Sequence, residues 1–399
     1  MTNHINESKR TFHIDYFLVF ILLLSGVVGL IGIHLSSPLN NLNDSKSDII
    51  RQTVWFIIST GFVITLIKLG TDRLFTIAYP AYYVLMVLLF IQVLARYGII
   101  NTSLIPSING AYAWYVIPKI GSFQPSEFMK IILIFISANI INEHNAEKEG
   151  MYFREDFMLM IKMARYALPP LILIVLQPDT GIPIIILFSL AVMFFLSGVR
   201  REWFIIIGSL AAFLFFGIIF LYYNNPILLN KIFGGNAQSY RLNRFYGWLD
   251  YEKYSNDHGH HLYNAISSLG TAGWTGHDLK TVILQYPESQ TDFIFAVLAQ
   301  NFGFIGASFV IILAFSLDLR LTWIAMRSDL TREKALITGA IGMLIFQHAQ
   351  NIGMVIGVLP ITGITLPFIS YGGSSILSYM LPFSVAFYMY SEITQARKH

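Results

Sequence analysis

The sequence predicts an all-α integral membrane protein, and two observations carry this prediction. Only 12% of the 399 residues are charged and 55% are hydrophobic, whereas an ordinary soluble domain carries about 25% charged residues. The apolar residues also form long blocks, and about 20 apolar residues cross the roughly 30 Å hydrocarbon layer as a helix. The composition excludes a soluble or disordered chain, and the block length argues against a membrane β-barrel, whose strands alternate.

Ten segments are long and apolar enough to span the membrane as helices. They lie near residues 15–35, 50–69, 74–95, 124–142, 163–178, 179–199, 202–223, 291–317, 333–358 and 366–391. We treat residues 1–399 as a single polytopic domain. The largest polar stretch, 224–290, is rich in aromatic residues, so we expect an extracellular loop with short helices on the membrane surface.

The distribution of Lys and Arg predicts the orientation of these segments. With the N-terminus in the cytoplasm, the inner loops hold about 16 Lys and Arg residues and the outer loops about 9. Cytoplasmic loops carry an excess of positive residues. We therefore expect both termini to be cytoplasmic. The net charge of +3 gives no indication of a nucleic-acid partner.

Charged residues at the ends of membrane segments are candidates for function, since charge is unfavourable there. Glu127 and Lys130 open the fourth segment three residues apart, so they share a helix face. They either form an internal ion pair, or Lys130 faces an outward cavity and meets an anionic group while Glu127 orients it. Asp179 follows Gln-Pro at the start of the sixth segment, where capping of the helix is the favoured interpretation.

Asp292 leads directly into the apolar run Phe-Ile-Phe-Ala-Val-Leu-Ala at the start of the eighth segment. Either Thr291 or Asp292 caps this helix, or partial burial raises the pKa of the Asp292 carboxyl into the range of a general base. Residue chemistry alone leaves these two interpretations equal. A cluster at His258, His260 and His261 has no partner carboxylate at a recognisable ligand spacing, so we expect a solvated turn there and no protein-held metal site.

The segment 351–375 contains two prolines, several glycines and the run Ser-Tyr-Gly-Gly-Ser-Ser, which begins at Ser370 and includes Ser374. Gly353 and Gly357 are spaced for close helix approach. Non-helical backbone at membrane depth is tolerated only where protein or water surrounds it. The sequence therefore predicts that this segment forms the wall of a cavity.

These motifs together resemble the SEDS family of membrane cell-wall synthases (RodA, FtsW and SpoVE). The matching stretches are Phe123–Lys130, Gln177–Gly181, Tyr240–Arg244, Pro287–Leu298 and Asn351–Ser375. They occur in the family's order among ten segments, so the resemblance covers essentially the whole chain. The short termini are more like RodA than FtsW.

The resemblance implies a peptidoglycan glycosyltransferase in the bacterial plasma membrane. Such an enzyme polymerises lipid II into glycan strands at the outer membrane face, with undecaprenyl diphosphate as the leaving group. It implies a class B penicillin-binding transpeptidase as partner, besides lipid II and the membrane. No organic cofactor is expected. A divalent cation, Mg or Mn, is compatible with the chemistry, since magnesium binds through one or two carboxylates plus substrate phosphates.

The resemblance also assigns roles to particular residues. Asp292 corresponds to the family's catalytic aspartate, and Glu127 and Lys130 correspond to its acid–base pair. Six residues are accordingly predicted to bind substrate besides Glu127: Lys130, Arg244, Arg241, Arg51, Ser370 and Ser374. One departure concerns the two glutamates usual in the family after this aspartate, because Gln300 and Asn301 stand there.

Two other functional classes share these features. A lipid II flippase or other transporter also has broken helices and an intramembrane Glu–Lys pair. A non-catalytic scaffold for the transpeptidase is the third hypothesis. Asp292 distinguishes them, because a polymerase requires it for chain growth, whereas a flippase or scaffold does not.

Overall fold

The computed structural model describes residues 12–36, 45–100, 102–108, 110–117, 121–148, 150, 152–179, 181–233, 240–278 and 288–397. Its helices and strands are α1 (Tyr16–Ser36), α2 (Ser45–Leu69), α3 (Thr71–Arg96), β1 (Tyr115–Ile117), β2 (Gly121–Phe123), α4 (Pro125–Glu147), α5 (Phe153–Val175), α6 (Gly181–Leu196), α7 (Glu202–Asn224), α8 (Pro226–Phe233), α9 (Tyr240–Leu249), α10 (His260–Thr271), α11 (Ile294–Arg327), α12 (Thr331–Val355) and α13 (Gly373–Ala396). The prediction of an all-α membrane protein is confirmed, because helices lie in all ten predicted segments. The two short strands form an antiparallel hairpin before α4.

Seven of the described helices are long and apolar enough to cross a membrane, namely α1 to α5, α7 and α11. The helix α6 is apolar but shorter, while α12 and α13 carry more polar residues. The number of spans and their orientation therefore stay predictions. The polar residues of α12 and α13 are mostly buried among other helices, so their low hydropathy reflects contact with protein in place of lipid.

The helix α4 lies in the centre of the molecule and α7 at its edge. In the most apolar window of α4, 89% of the residues are buried, against none in that of α7. The helix α12 packs closely against α6, because Gly339 and Gly342 lack side chains there. A β-carbon on them would lie 2.5 Å from the Met193 sulfur and 3.0 Å from Val192. These packed central helices position several residues of the candidate site.

The last predicted segment, near 366–391, begins too early. Residues 356–372 are non-helical, and α13 begins at Gly373. Two prolines interrupt the chain here, and Gly363 and Phe368 have φ of 74° and 62°, outside the helical range. Residues 361–370 of this loop are nevertheless mostly buried, and Asn351 donates to the carbonyl of Ile364 at 2.7 Å. Side chains thus satisfy backbone groups that a helix would have satisfied internally.

Two other boundaries also differ from the prediction. The helix α5 begins at Phe153, ten residues before the predicted segment near 163–178, since its first turns carry charged residues on an exposed face. The helix α11 begins at Ile294 and extends to Arg327, so Asp292 precedes the helix. At Gly303, with φ 63° and ψ −157°, α11 is kinked.

The stretch 224–290, which is predicted to be extracellular, contains α8, α9 and α10, while residues 234–239 and 279–287 lie outside the described part of the chain. The helix α9 is held against the loop 356–372. The indole nitrogen of Trp248 donates to the carbonyl of Gly357 at 2.9 Å. The guanidinium Nη1 of Arg244, four residues earlier on the same helix face, donates to the carbonyl of Thr362 at 2.6 Å.

Candidate active site

A cavity of about 410 Å³ lies where the first turns of α4, α6 and α13 meet the segment 288–292 before α11. Its wall also includes Arg51 of α2, Arg244 of α9 and part of the loop 356–372. The carboxyl-bearing residues of the wall are Glu127, Asp179, Glu288 and Asp292. The structure therefore brings together four carboxylates and two guanidinium groups that come from distant parts of the sequence.

Asp292 is fixed by its backbone and faces the cavity. Its carbonyl accepts a hydrogen bond from Nδ2 of Asn351 at 2.7 Å. The neighbouring Thr291 hydroxyl donates to the Glu288 carboxylate at 2.9 Å. Within the described residues, no side chain caps the N-terminus of α11, which the capping interpretation had required of Thr291 or Asp292. The carboxyl group of Asp292 is thus a cavity group and does not terminate a helix.

Burial raises the pKa of Asp292 to about 7, from the ordinary value of 3.8. Arg244 acts in the opposite direction, and the negative charges of Glu288 and Asp179 add to the increase. A carboxyl group with a pKa near neutrality is well matched to proton transfer at physiological pH. Its environment therefore suits a general base.

Asp179 has two roles in the structure. Its Oδ1 accepts the Ile182 N–H at 3.3 Å in the first turn of α6, as the capping interpretation expects. Its Oδ2 accepts a hydrogen bond from Gln124 at 3.0 Å. It also lines the cavity, where burial raises its pKa to about 6. The sequence analysis favoured capping and did not include Asp179 among the site residues, although a carboxylate directly before an apolar helix was a usable signal.

Glu127 and Lys130 form the ion pair that their spacing allows, with Nζ and Oε2 2.6 Å apart. Glu127 lines the cavity, but Lys130 lies behind it and is only 1% exposed. The ammonium group also contacts the Tyr379 hydroxyl at 3.3 Å, and that hydroxyl bonds to the Gln347 amide. Lys130 therefore reaches the cavity through Glu127, whereas the sharper sequence interpretation had these two positions the other way round.

The remaining predicted substrate-binding residues have different positions. Arg51 lines the cavity and hydrogen-bonds to Tyr371. Arg241 lies in α9, but its side chain is outside the described part of the structure. The Ser370 hydroxyl donates to the carbonyl of Thr291 at 2.7 Å. The Ser374 hydroxyl, on the cavity wall, donates to a carbonyl of β2 at 2.9 Å. Both hydroxyls thus hold the cavity wall together, and their contact with substrate stays a prediction.

Helix ends add to the electrostatics of the cavity. The helices α4, α6 and α13 all begin at residues adjacent to or within its wall, and α11 begins two residues after Asp292. The N-terminus of a helix carries a partial positive charge and unsatisfied N–H groups, which attract anions. Together with Arg51 and Arg244, these ends provide attraction for an anionic ligand next to the carboxylates.

The described residues include no group of three His, Asp or Glu side chains arranged to hold a metal ion. The cluster His258, His260 and His261 is only partly exposed: His260 contacts the carbonyl of Ser255 at 3.0 Å, and His261 packs against Phe293. The expected solvated turn is thus a partly buried one.

Gln300 is buried close to the kink of α11, and its carbonyl accepts the His277 N–H.

Comparison with known proteins agrees with this architecture. The model of the FtsW/RodA/SpoVE family, described as cell cycle protein, matches residues 13–395. The chain is 30% identical to the probable peptidoglycan glycosyltransferase FtsW of Wigglesworthia glossinidia brevipalpis, over 94% of this chain and 93% of the relative. It is 31% identical to stage V sporulation protein E of Bacillus subtilis, over 68% and 70%.

Solved structures are similar over nearly the whole chain. A chain from a peptidoglycan synthase complex, in a study of how polymerization and crosslinking are coordinated, is 26% identical with a TM-score of 0.74. The match covers 96% of this chain and 99% of that one. The rod shape determining protein RodA of Thermus thermophilus is 24% identical with a TM-score of 0.64, covers 95% and 97%, and shares the fold. The greater similarity of this chain to RodA than to FtsW stays a prediction. The chain belongs to the FtsW/RodA/SpoVE family of membrane proteins.

Proposed function

We propose that this protein is a peptidoglycan glycosyltransferase that polymerises lipid II at the outer face of the bacterial plasma membrane. One observation carries the proposal: Asp292, with a pKa near 7, shares a cavity with Arg244 among the N-termini of several helices. Such a site combines a base for a sugar hydroxyl with positive groups for a diphosphate. The names of the relatives support the reaction class.

The reaction we propose is a displacement at the anomeric carbon of one lipid II molecule. The acceptor hydroxyl oxygen forms a bond to that carbon, and its proton passes to the Asp292 carboxylate. The bond between the anomeric carbon and the diphosphate oxygen breaks, and undecaprenyl diphosphate leaves with the electron pair. A single displacement inverts the carbon and needs one base, by analogy with inverting glycosidases.

Arg244 and Arg51 have the charge needed for the leaving diphosphate. Cations that are already in position stabilise charge as it develops in a transition state. The carbonyl of Thr362 holds the Arg244 guanidinium, and Tyr371 hydrogen-bonds to Arg51. Both groups are thus oriented before substrate binds. A divalent cation would supply additional positive charge at the diphosphate.

Glu127 and Lys130 act as a positioning pair in this proposal. Lys130 is buried and pairs with Glu127, so we assign it the role of orienting the Glu127 carboxylate at the cavity wall. A class B penicillin-binding transpeptidase is the partner we propose, in keeping with the similar chain from a synthase complex.

The test is a polymerisation assay with the purified protein, its transpeptidase partner and fluorescent lipid II in vesicles. Glycan products are separated by gel electrophoresis. We expect Asp292→Ala to lower the rate by about 10²–10⁴-fold, the usual effect of removing a general base. Asp257→Ala is the matched control, because Asp257 is a carboxylate of the outer surface whose side chain is 67% exposed.

The same vesicles distinguish the competing functions. A flippase would move lipid II between leaflets equally well with Asp292→Ala, and would make no polymer. A scaffold would neither move lipid II between leaflets nor polymerise it. Only the activity of the transpeptidase would depend on its presence. Polymer formed by the Asp292→Ala protein at the rate of the control would refute the assignment of the base.

A further inference from the structure

Three arginines surround one tryptophan on the face of the protein that is predicted to be cytoplasmic. The guanidinium carbon of Arg320 lies 4.4 Å from the centre of the Trp323 ring. Those of Arg327 and Arg397 lie 5.5 and 5.8 Å from the same ring. Arg327 is the last residue of α11, whereas Arg397 directly follows α13. The fold therefore brings together like charges from distant parts of the sequence.

Arg320 is neutralised by a buried carboxylate. Its Nε and Nη2 donate to the two carboxylate oxygens of Asp15 at 2.8 and 3.0 Å. The Leu18 N–H donates to the same carboxylate at 3.1 Å, which fixes Asp15 at the start of α1. The rings of Phe17 and Tyr390 also contact the Arg320 guanidinium. This pair thus joins the start of α1 to α11, and the charge of Asp15 is used by Arg320.

Arg327 and Arg397 are exposed and are not neutralised in this way. Within the described part of the chain, neither forms an ion pair with an acidic residue. The C-terminus of a helix carries about half a negative elementary charge, which favours one arginine at the end of α11 and one at the end of α13. Two full positive charges exceed these two partial negative charges. A positive excess therefore remains beside the indole of Trp323.

Apolar side chains are exposed next to this positive excess. Phe17, whose ring contacts Arg320, is 52% exposed, and Met326, which precedes Arg327, is 75% exposed. Tryptophan is enriched where the hydrocarbon of a membrane meets water, and arginine side chains extend from there to the headgroups. Side chains that suit acyl chains and side chains that suit a phosphate group thus lie together.

We propose that Arg327 and Arg397 bind the phosphate group of an anionic phospholipid such as phosphatidylglycerol, with Trp323 beneath the headgroup. Guanidinium groups donate paired hydrogen bonds to phosphate oxygens. A phospholipid also covers the exposed apolar side chains, which a soluble anion does not. The bound phosphate compensates the positive excess and links the ends of α11 and α13. This inference goes beyond the proposed function, since the site lies at the end of α11 that is distant from Asp292.

The experiment measures the tryptophan fluorescence of the full-length chain in phosphatidylcholine nanodiscs. Phosphatidylglycerol or phosphatidylcholine with brominated acyl chains is added at increasing mole fractions, because bromine quenches an indole that it contacts. We expect phosphatidylglycerol to quench at lower mole fractions than phosphatidylcholine. The chain has six tryptophans, so Trp323→Phe identifies the one responsible and should remove the difference between the two lipids.

Arginine variants test the two proposed ligands. We expect Arg327→Gln and Arg397→Gln each to raise the half-saturating mole fraction of phosphatidylglycerol about 5-fold, the usual effect of one arginine near an anionic lipid surface. Arg327→Lys keeps the charge and should stay closer to the unmodified protein than Arg327→Gln. Arg73→Gln is the matched control, because Arg73 is an exposed arginine in the first turn of α3 on the same predicted face. It should leave the quenching unchanged.

Three results would overturn the inference. Equal quenching of the unmodified protein by both lipids would show no preference for an anionic headgroup. A difference between the lipids that persists in Trp323→Phe would place the lipid elsewhere. Equal effects of Arg73→Gln and Arg327→Gln would indicate a general attraction to the whole surface. None of these measurements depends on polymerisation of lipid II, so a failure of the proposed function leaves them unaffected.

Discussion

Replacement of Asp292 by asparagine should raise the free energy of unfolding at neutral and alkaline pH, but not at acidic pH. The pKa of this carboxyl is raised from 3.8 to about 7 in the folded state, chiefly by burial. Folding therefore favours the protonated form. As pH rises from about 4 to 7, the unfolded state releases its proton first, and the folded state loses stability relative to it. Asparagine is neutral throughout and avoids this loss.

The size of the effect follows from the two pKa values. Each pH unit between them corresponds to about 1.4 kcal/mol, so the upper limit is about 4 kcal/mol, reached above pH 7. The attraction of Arg244 is already contained in the pKa of about 7. We expect the asparagine variant to gain between about 1 and 4 kcal/mol at pH 8 and almost nothing near pH 4.

The measurement is thermal unfolding in detergent, followed by intrinsic fluorescence, at several pH values between about 5 and 8.5. The difference in Tm between Asp292→Asn and the unmodified protein should grow with pH up to about 7 and then level off. Asp329→Asn is the matched control, because Asp329 is an exposed carboxylate in the loop between α11 and α12. A pH-independent gain, or a variant less stable than the unmodified protein at pH 8, would refute the argument from burial.

Two further predictions concern the polar groups around the cavity. The kcat/KM for polymerisation should fall below about pH 7 as Asp292 becomes protonated, and Arg244→Gln should move this limb to higher pH, because the guanidinium lowers that pKa. A pH–rate profile tests both predictions. If Arg244→Gln left the acidic limb of the profile where it is, Arg244 would have no influence on the pKa of Asp292. Tyr379→Phe removes a hydroxyl bonded to the buried Lys130 ammonium, so it should lower the free energy of unfolding by about 1–3 kcal/mol. Tyr82→Phe, which loses one bond to a neutral carbonyl, should lower it by only about 0.5–1.5 kcal/mol, and equal losses in unfolding experiments would contradict the reasoning.

The helices were predictable from sequence because lipid imposes a simple rule on apolar length. The same rule fails where a segment contacts protein. The loop 356–372 was partly assigned to a helix, since its apolar residues are as hydrophobic as those of a span. Its conformation depends on donors from elsewhere, such as Gln52 and Asn351, which no local pattern reveals. Contacts distant in sequence therefore decide where the last helix begins.

Several residues that line the cavity, such as Glu127, Arg244 and Asp292, were singled out from sequence, whereas their arrangement was not predicted. Spacing placed Glu127 and Lys130 on one helix face, yet it could not say which of them meets the cavity. The helices α12 and α13, which both pack against α4, decide this, because Tyr379 of α13 contacts Lys130 and Gln347 of α12 hydrogen-bonds to Tyr379. Gly363, which lies on the cavity wall with φ 74°, was not predicted to belong to the site, because a glycine in a loop is ordinary until the groups beside it are known. Family resemblance and residue chemistry predict candidate reactive groups, whereas their meeting at one cavity is a property of the fold.

The chain has few charged residues, and the positions of the buried ones differ between the cavity and the rest of the protein. Away from the cavity, the buried Asp15 carboxylate pairs with Arg320 at 2.8 Å, and the Asp318 carboxylate contacts the His348 ring at 2.9 Å. Such pairs join helices, because an unpaired buried charge is unfavourable. At the cavity, Asp179 is instead held by neutral donors, and Asp292 keeps a pKa near neutrality. A polar substrate that displaces water there meets charges whose attraction is strengthened by the apolar surroundings. The low charge content therefore serves the reaction as well as the membrane, since a few ionisable groups act in a medium that screens them weakly.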